Sequence, residues 1–191
     1  MRTFDVKQVL NLLHSSLPES LLEKYGLTLS QTKDATHIGD VMQPIFTLQT
    51  DQLFSAGIDR FNREISKTEV KAYSYHFDRG NPFLGSMHYI AHHALDLEYV
   101  FGNFIEGFPD QKDVNLSKEL MGLWIRFANG GAPWADYTSG KALHITPDAE
   151  LRVIPRKEIT SRRWDAYAEM EKFWGTVSRV GNMLMHGNLD G

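Results

Sequence analysis

The passage from Tyr89 to Gly102, Tyr-Ile-Ala-His-His-Ala-Leu-Asp-Leu-Glu-Tyr-Val-Phe-Gly, constrains this chain more than any other. It crowds adjacent histidines, carboxylates and an apolar run into one place. Leu97 to Phe101 combine aromatic and β-branched residues with one carboxylate, a composition that predicts a short buried strand stopped by Gly102. His93 stands just ahead of that run. Histidine titrates near neutrality when unperturbed, so one held in a loop leading into buried structure is suited to accept and return a proton.

The remaining sequence has to provide the core for this passage. With 191 residues the expectation is a single domain over 1–191. A domain of that size buries roughly two thirds or more of its unfolded surface. Hydrophobic residues at 42% and charged residues at 23% describe a soluble globular chain. A net charge of -4 leaves no basic footprint for nucleic acid. The absence of cysteine excludes disulfides, thiolate metal sites and a cysteine nucleophile. Asp5, Lys7 and Gln8 interrupt the first apolar residues, no small-residue cleavage site follows, and no apolar run is long enough to span a bilayer. The expectation from these features is a cytoplasmic chain with neither nucleic-acid nor membrane partners.

Taken in order, Val6, Val9, Leu10 and Leu13 fall at helical spacing, and Pro18 opens a second short helix that Gly26 closes. Ile38 to Ile65 carries Ile45, Phe46, Leu53, Phe54, Ile58, Phe61 and Ile65, a stripe expected to be core on a helix broken or started near Pro44. Glu69 to Asp78 alternates as an interior strand of a parallel sheet. Asn115 to Asn129 is the clearest helix, with Leu120, Leu123, Trp124 and Phe127 on its core face and Gly130-Gly131 as its stop. Ala142 to Pro155 predicts two short strands joined through Thr146-Pro-Asp-Ala149. Thr160 or Ser161 caps a last helix with Trp164, Tyr167, Ala168 and Phe173 on its apolar face, and the tail from Gly181 is expected to fray.

Two motifs carry a resemblance. His93-Ala-Leu-Asp96-Leu-Glu98-Tyr99-Val-Phe-Gly102 resembles the catalytic-histidine segment of type B carboxylesterases, the serine hydrolases that include the cholinesterases. Leu123-Trp124-Ile-Arg-Phe127-Ala128-Asn-Gly-Gly131-Ala-Pro133 resembles the Trp-x-x-Phe-Ala…Gly-x-Pro element that follows it in that family. The resemblance implies an α/β fold corresponding to the C-terminal part of the α/β-hydrolase fold, helix-rich, with a few strands of an incomplete sheet. It implies hydrolysis of a carboxylic ester through an acyl-enzyme, with His93 as the general base. Asp96 and Glu98 match acidic positions that are structural in the family, neither of them the triad acid. Full-length relatives are often secreted.

The chemistry also shows what these residues lack. A serine hydrolase needs an activated nucleophile, an acid that orients the imidazole and N–H donors for the oxyanion. On the α/β-hydrolase fold the nucleophile sits in a Gly-x-Ser-x-Gly elbow that precedes the histidine. A parallel sheet needs roughly a dozen residues per crossover, so several strands do not fit before position 93. The nearest imitation, Leu53-Phe-Ser55-Ala-Gly57, has leucine for the first glycine and reads as mid-helix. The expectation is a truncated chain, inactive alone, that would act on a small hydrophobic ester if an N-terminal esterase half completed it. The alternatives are a pseudo-esterase binding or self-associating module, and a small zinc protein using His88, His92 and Asp96, which share one helical face at spacings of four. The residues imply no cofactor for the esterase reading.

Overall fold

The computed structural model describes residues 6–37, 39–82, 91–103, 110–159 and 163–186. By proximity along the fold the chain divides into two compact units, Met1–Arg60 with Thr160–Gly191, and Phe61–Ile159.

The first unit is helical. α1 (Val6–Ser16), α2 (Glu19–Lys24), α3 (Gly39–Thr50) and α7 (Tyr167–His186) enclose a core that includes Leu10, Leu21, Leu22, Leu27, Leu48, Tyr167 and Met170. Pro18 precedes α2 as expected and its carbonyl accepts the Leu21 and Leu22 amides. Gly26 ends α2 with φ +71°, and paired bonds from Gly26 N to Glu23 O and from Leu27 N to Leu22 O close a Schellman motif. Pro44 does not break α3: it lies inside the helix at the sixth position, where its ring leaves the Asp40 carbonyl without the i→i−4 amide. The irregularity comes later, in a π-helical turn at Asp51–Ser55 that leads into α4 (Ala56–Ile65). Asp51, fully buried, accepts from Tyr25 Oη (3.0 Å), Tyr167 Oη (3.1 Å) and the Arg163 amide (3.2 Å). Burial, and then the carboxylate beside it, drives the Tyr25 phenol far above its ordinary range.

One expectation is overturned here. Of the stripe on α3 and α4 Ile45 packs against the core, but most of the rest does not: Leu53 is 69% exposed, Phe61 63% and Ile58 56%. Leu48 is buried ahead of the π-turn, and the extra residue of that turn rotates the helix face so that Asp51 and Ser55 within it and Ala56 after it are the buried positions. The cap expected at Thr160 or Ser161 lies outside the described residues. Trp164–Ala166 forms a single 3₁₀ turn ahead of α7, which continues past Gly181 to His186.

The second unit carries the sheet. β1 (Tyr75–Phe77) pairs parallel with β2 (Lys141–Ile145), which pairs antiparallel with β3 (Leu151–Pro155). The hairpin turns through Thr146–Ala149 as the sequence predicts, with Ala149 N bonded to Thr146 O. β1 is shorter than the predicted Glu69–Asp78 strand and lies at the edge of the order β1-β2-β3, not in the interior. Ahead of it the Ala72 and Ser74 carbonyls receive the Tyr137 and Leu143 amides, so the approach is extended without a continuous ladder.

α5 (Leu95–Phe101) is a helix where a strand was expected. Leu95, Tyr99 and Val100 are its buried residues, spaced i, i+4 and i+5, a helical stripe that the window beginning at Leu97 hides. They join Leu116 and Leu120 of α6 (Gln111–Ala128) and Leu143 and Ile145 of β2 in one core. The Asp110 carboxylate caps α6 by accepting the Asp113 amide, and that bond lowers its pKa. Gly130 and Gly131 stop the helix as predicted, with amides bonded to Phe127 O and Arg126 O. Among the described residues no helix is long and apolar enough to cross a membrane.

Candidate functional site

His93 lies in an exposed turn at the head of α5. The turn is tight: Leu95 N bonds to His92 O, Leu97 N bonds to Ala94 O, and Ala94 has φ +69°, the left-handed region that a residue with a Cβ rarely occupies. Such a conformation persists only where the surroundings hold it.

Three attachments hold α5 and its leading turn. On one side Tyr75 Oη donates to the Asp96 carboxylate at 2.6 Å, while Tyr75 packs edge-on to Trp124 with ring centroids 5.1 Å apart. Burial, reinforced by the Asp96 carboxylate, lifts the Tyr75 phenol above its ordinary range and keeps it a donor. On the buried side Tyr99 Oη donates to Asp113 at 2.7 Å, and the Ser117 hydroxyl donates to Tyr99 O at 2.7 Å. Arg79 completes this node by donating Nε and Nη2 to the two Asp113 oxygens, each at 2.9 Å. The third attachment is at His92, whose ring meets Asn81 Nδ2 at 2.9 Å through Nε2 and His93 O at 3.0 Å through Nδ1.

The element around Trp124 supports the same region. Trp124, Trp134, Tyr73 and Tyr75 form a linked aromatic group, and Trp134 Nε1 donates to Ser74 O. Phe127, expected in the core, is exposed yet packs edge-on against Tyr73.

A model of the carboxylesterase family matches residues 2–177. The chain belongs to that family. No curated protein and no solved structure matches it. The match makes the helix-rich architecture with its small sheet a partial α/β fold of the carboxylesterase family.

In this carboxylesterase-family chain the remaining candidates fall as follows. Asp96 and Glu98 lie on α5, where Asp96 is engaged by Tyr75 and the Glu98 carbonyl accepts the Asn103 amide. Ser55 closes the π-turn of the other unit inside continuous helix, with no strand leading into a strained elbow. Of the three residues in the zinc alternative, His88 lies outside the described residues. Both His92 nitrogens and the Asp96 carboxylate already have protein partners. Among the described residues no group of three histidines or carboxylates is placed to hold a metal.

Two pairings carry no signal in the sequence. One is Arg79 with Asp113; the other is the half-buried contact of His144 Nε2 with Asp78 at 2.8 Å, which links the end of β1 to β2. Their partners lie 34 and 66 residues apart, and no local pattern points to either.

Proposed function

We propose that this chain carries the proton-transferring histidine of a carboxylic-ester hydrolase, His93, and that the nucleophile, the triad acid and the oxyanion donors come from outside its 191 residues. The observation that carries the reading is the mount of His93: an exposed imidazole on a strained turn, at the head of a short helix fastened through Asp96, Tyr99 and His92. With a serine supplied, the imidazole accepts the hydroxyl proton as the oxygen attacks the ester carbonyl and returns it to the departing alcohol. Water then repeats the sequence on the acyl-enzyme. The proposed substrate class is a small hydrophobic ester.

The purified chain is therefore expected to turn over a generic aryl ester no faster than its His93→Ala variant. Turnover that disappears on Ser55→Ala or His93→Ala would overturn the proposal that the nucleophile lies elsewhere. Co-expression with an esterase segment bearing a Gly-x-Ser-x-Gly elbow is expected to yield turnover that His93→Ala abolishes.

One observation favours a second reading, a family member that binds or self-associates without turnover. Leu53, Phe54 and Ile58 of the first unit are exposed on consecutive helical segments, apolar surface of the kind that marks association sites. Concentration-dependent sedimentation that Leu53→Lys with Ile58→Lys reduces to a monomer would support it; a monomer at every concentration would remove it.

A further inference from the structure

We infer that His92 is a positioning residue for His93, acting as a neutral, Nδ1-protonated bridge that fixes the peptide plane between His93 and Ala94. The inference rests on the reading of His93 as the proton carrier and assigns its neighbour a role of its own.

The hydrogen-bond partners determine the tautomer. Asn81 Nδ2 is a donor only, so at 2.9 Å the His92 Nε2 must offer its lone pair. The His93 carbonyl is an acceptor only, so at 3.0 Å the His92 Nδ1 must carry the proton. The Nε2-protonated tautomer makes neither bond. An imidazolium keeps the carbonyl bond but sets an N–H against the amide N–H. Only one protonation state satisfies both partners.

The donor is itself held in place. Asn81 is 6% exposed, and Arg79, two residues before it, is locked to the sealed carboxylate of Asp113 and donates Nη1 to Pro147 O. The bridge thus runs from the buried Asn81, through the His92 ring, to the carbonyl of His93. That carbonyl belongs to the peptide plane whose orientation sets φ at Ala94, the left-handed residue between His93 and α5. On the other side Tyr75 holds Asp96 and the Asp113 node holds Tyr99. The turn is pinned at both ends, and the left-handed Ala94 is what such pinning sustains.

The test uses the intact chain with ring-¹⁵N-labelled histidine, and NMR of the wild type, Asn81→Ala, His92→Ala and each of these combined with Ala94→Gly. In the wild type near neutral pH, His92 is expected to be protonated at Nδ1 alone, and the backbone coupling at residue 94 is expected to report a positive φ. In Asn81→Ala the His92 ring is expected to leave that single form, the residue-94 coupling to change, and the His93 titration midpoint to move while that of His144 stays. Glycine accepts the left-handed region without strain, so Ala94→Gly is expected to restore the positive φ in both single-variant backgrounds. A wild-type His92 protonated at Nε2 or at both nitrogens overturns the inference. So does an Asn81→Ala chain whose residue-94 coupling and His93 titration match the wild type. No ester enters the experiment, so its failure bears on the bridge alone, whereas failure of the ester assay bears on the role of His93.

Discussion

Arg79 grips Asp113 with two parallel hydrogen bonds of 2.9 Å, and the carboxylate it holds is sealed from solvent. Tyr99 adds a third donor. A buried carboxylate without donors is strongly unfavourable, so this node fastens three segments at once: the loop after β1, the buried side of α5 and the first turn of α6. The interaction raises the Arg79 guanidinium pKa still further, chiefly through its hydrogen bonds to Asp113, so the charge on this partner is permanent.

Removing Arg79 while leaving Asp113 in place is therefore expected to be among the most costly substitutions in the second unit. Arg79→Ala should lower stability by about 3–5 kcal/mol, the range for stranding one member of a buried pair. Arg79→Lys keeps the charge but loses the planar fork and should fall between that variant and the wild type. Urea denaturation followed by circular dichroism measures both. A loss under about 1 kcal/mol for Arg79→Ala would show that water or another donor satisfies Asp113.

In the first unit Asp51 gathers the hydroxyls of Tyr25 and Tyr167 with the Arg163 amide. Asp51→Ala strands buried donors, each at about 1–3 kcal/mol. Tyr25→Phe leaves the carboxylate its other two donors and should destabilise less. Denaturation midpoints should therefore fall in the order wild type, Tyr25→Phe, Asp51→Ala. The reverse order would mean that the tyrosine ring matters and its hydroxyl does not.

Folding lowers the pKa of three carboxylates that accept nearby amides or hydroxyls. Asp110 is lowered by the Asp113 amide, Asp40 by the His37 amide and Asp136 by the Thr138 hydroxyl. Near their titration the native chain binds fewer protons at these groups than the unfolded chain does. Their stabilising effect is complete above the unfolded aspartate value of about 3.9 and is lost as the pH falls through the lowered folded values. Asp110→Asn preserves an N-cap acceptor but cannot titrate. Denaturation of this variant at pH 6 and pH 3 should show a shallower acid loss than the wild type. An identical slope would remove Asp110 from the account.

Local chemistry is the part of this fold that is legible in the residues alone. The closures at Gly26 and Gly130 and the turn at Thr146–Ala149 depend on residues within a few positions of one another and form where those residues predict, and the helix expected from Asn115 is present but begins earlier, at Gln111. The histidine segment and the tryptophan element are legible for the same reason, as contiguous motifs, and the family match over residues 2–177 agrees with them. The run from Leu97 to Phe101 misleads because five residues with β-forming character do not reveal that their buried partner is Leu95, one turn earlier.

The amino-acid order by itself determined the local turns and helix closures, the long helix ending before Gly130 and the family to which the chain belongs, because caps, turns and periodic stripes act over one or two helical turns. Tertiary structure alone decided that α5 packs against α6, that Leu53 in a π-turn and Ile58 and Phe61 after it face outward, and that Asp113, Asp96 and His92 find Arg79, Tyr75 and Asn81. Those outcomes depend on where distant backbone passes. A buried charge or an imidazole tautomer is settled only by the donor or acceptor that the folded chain brings within about 3 Å of it.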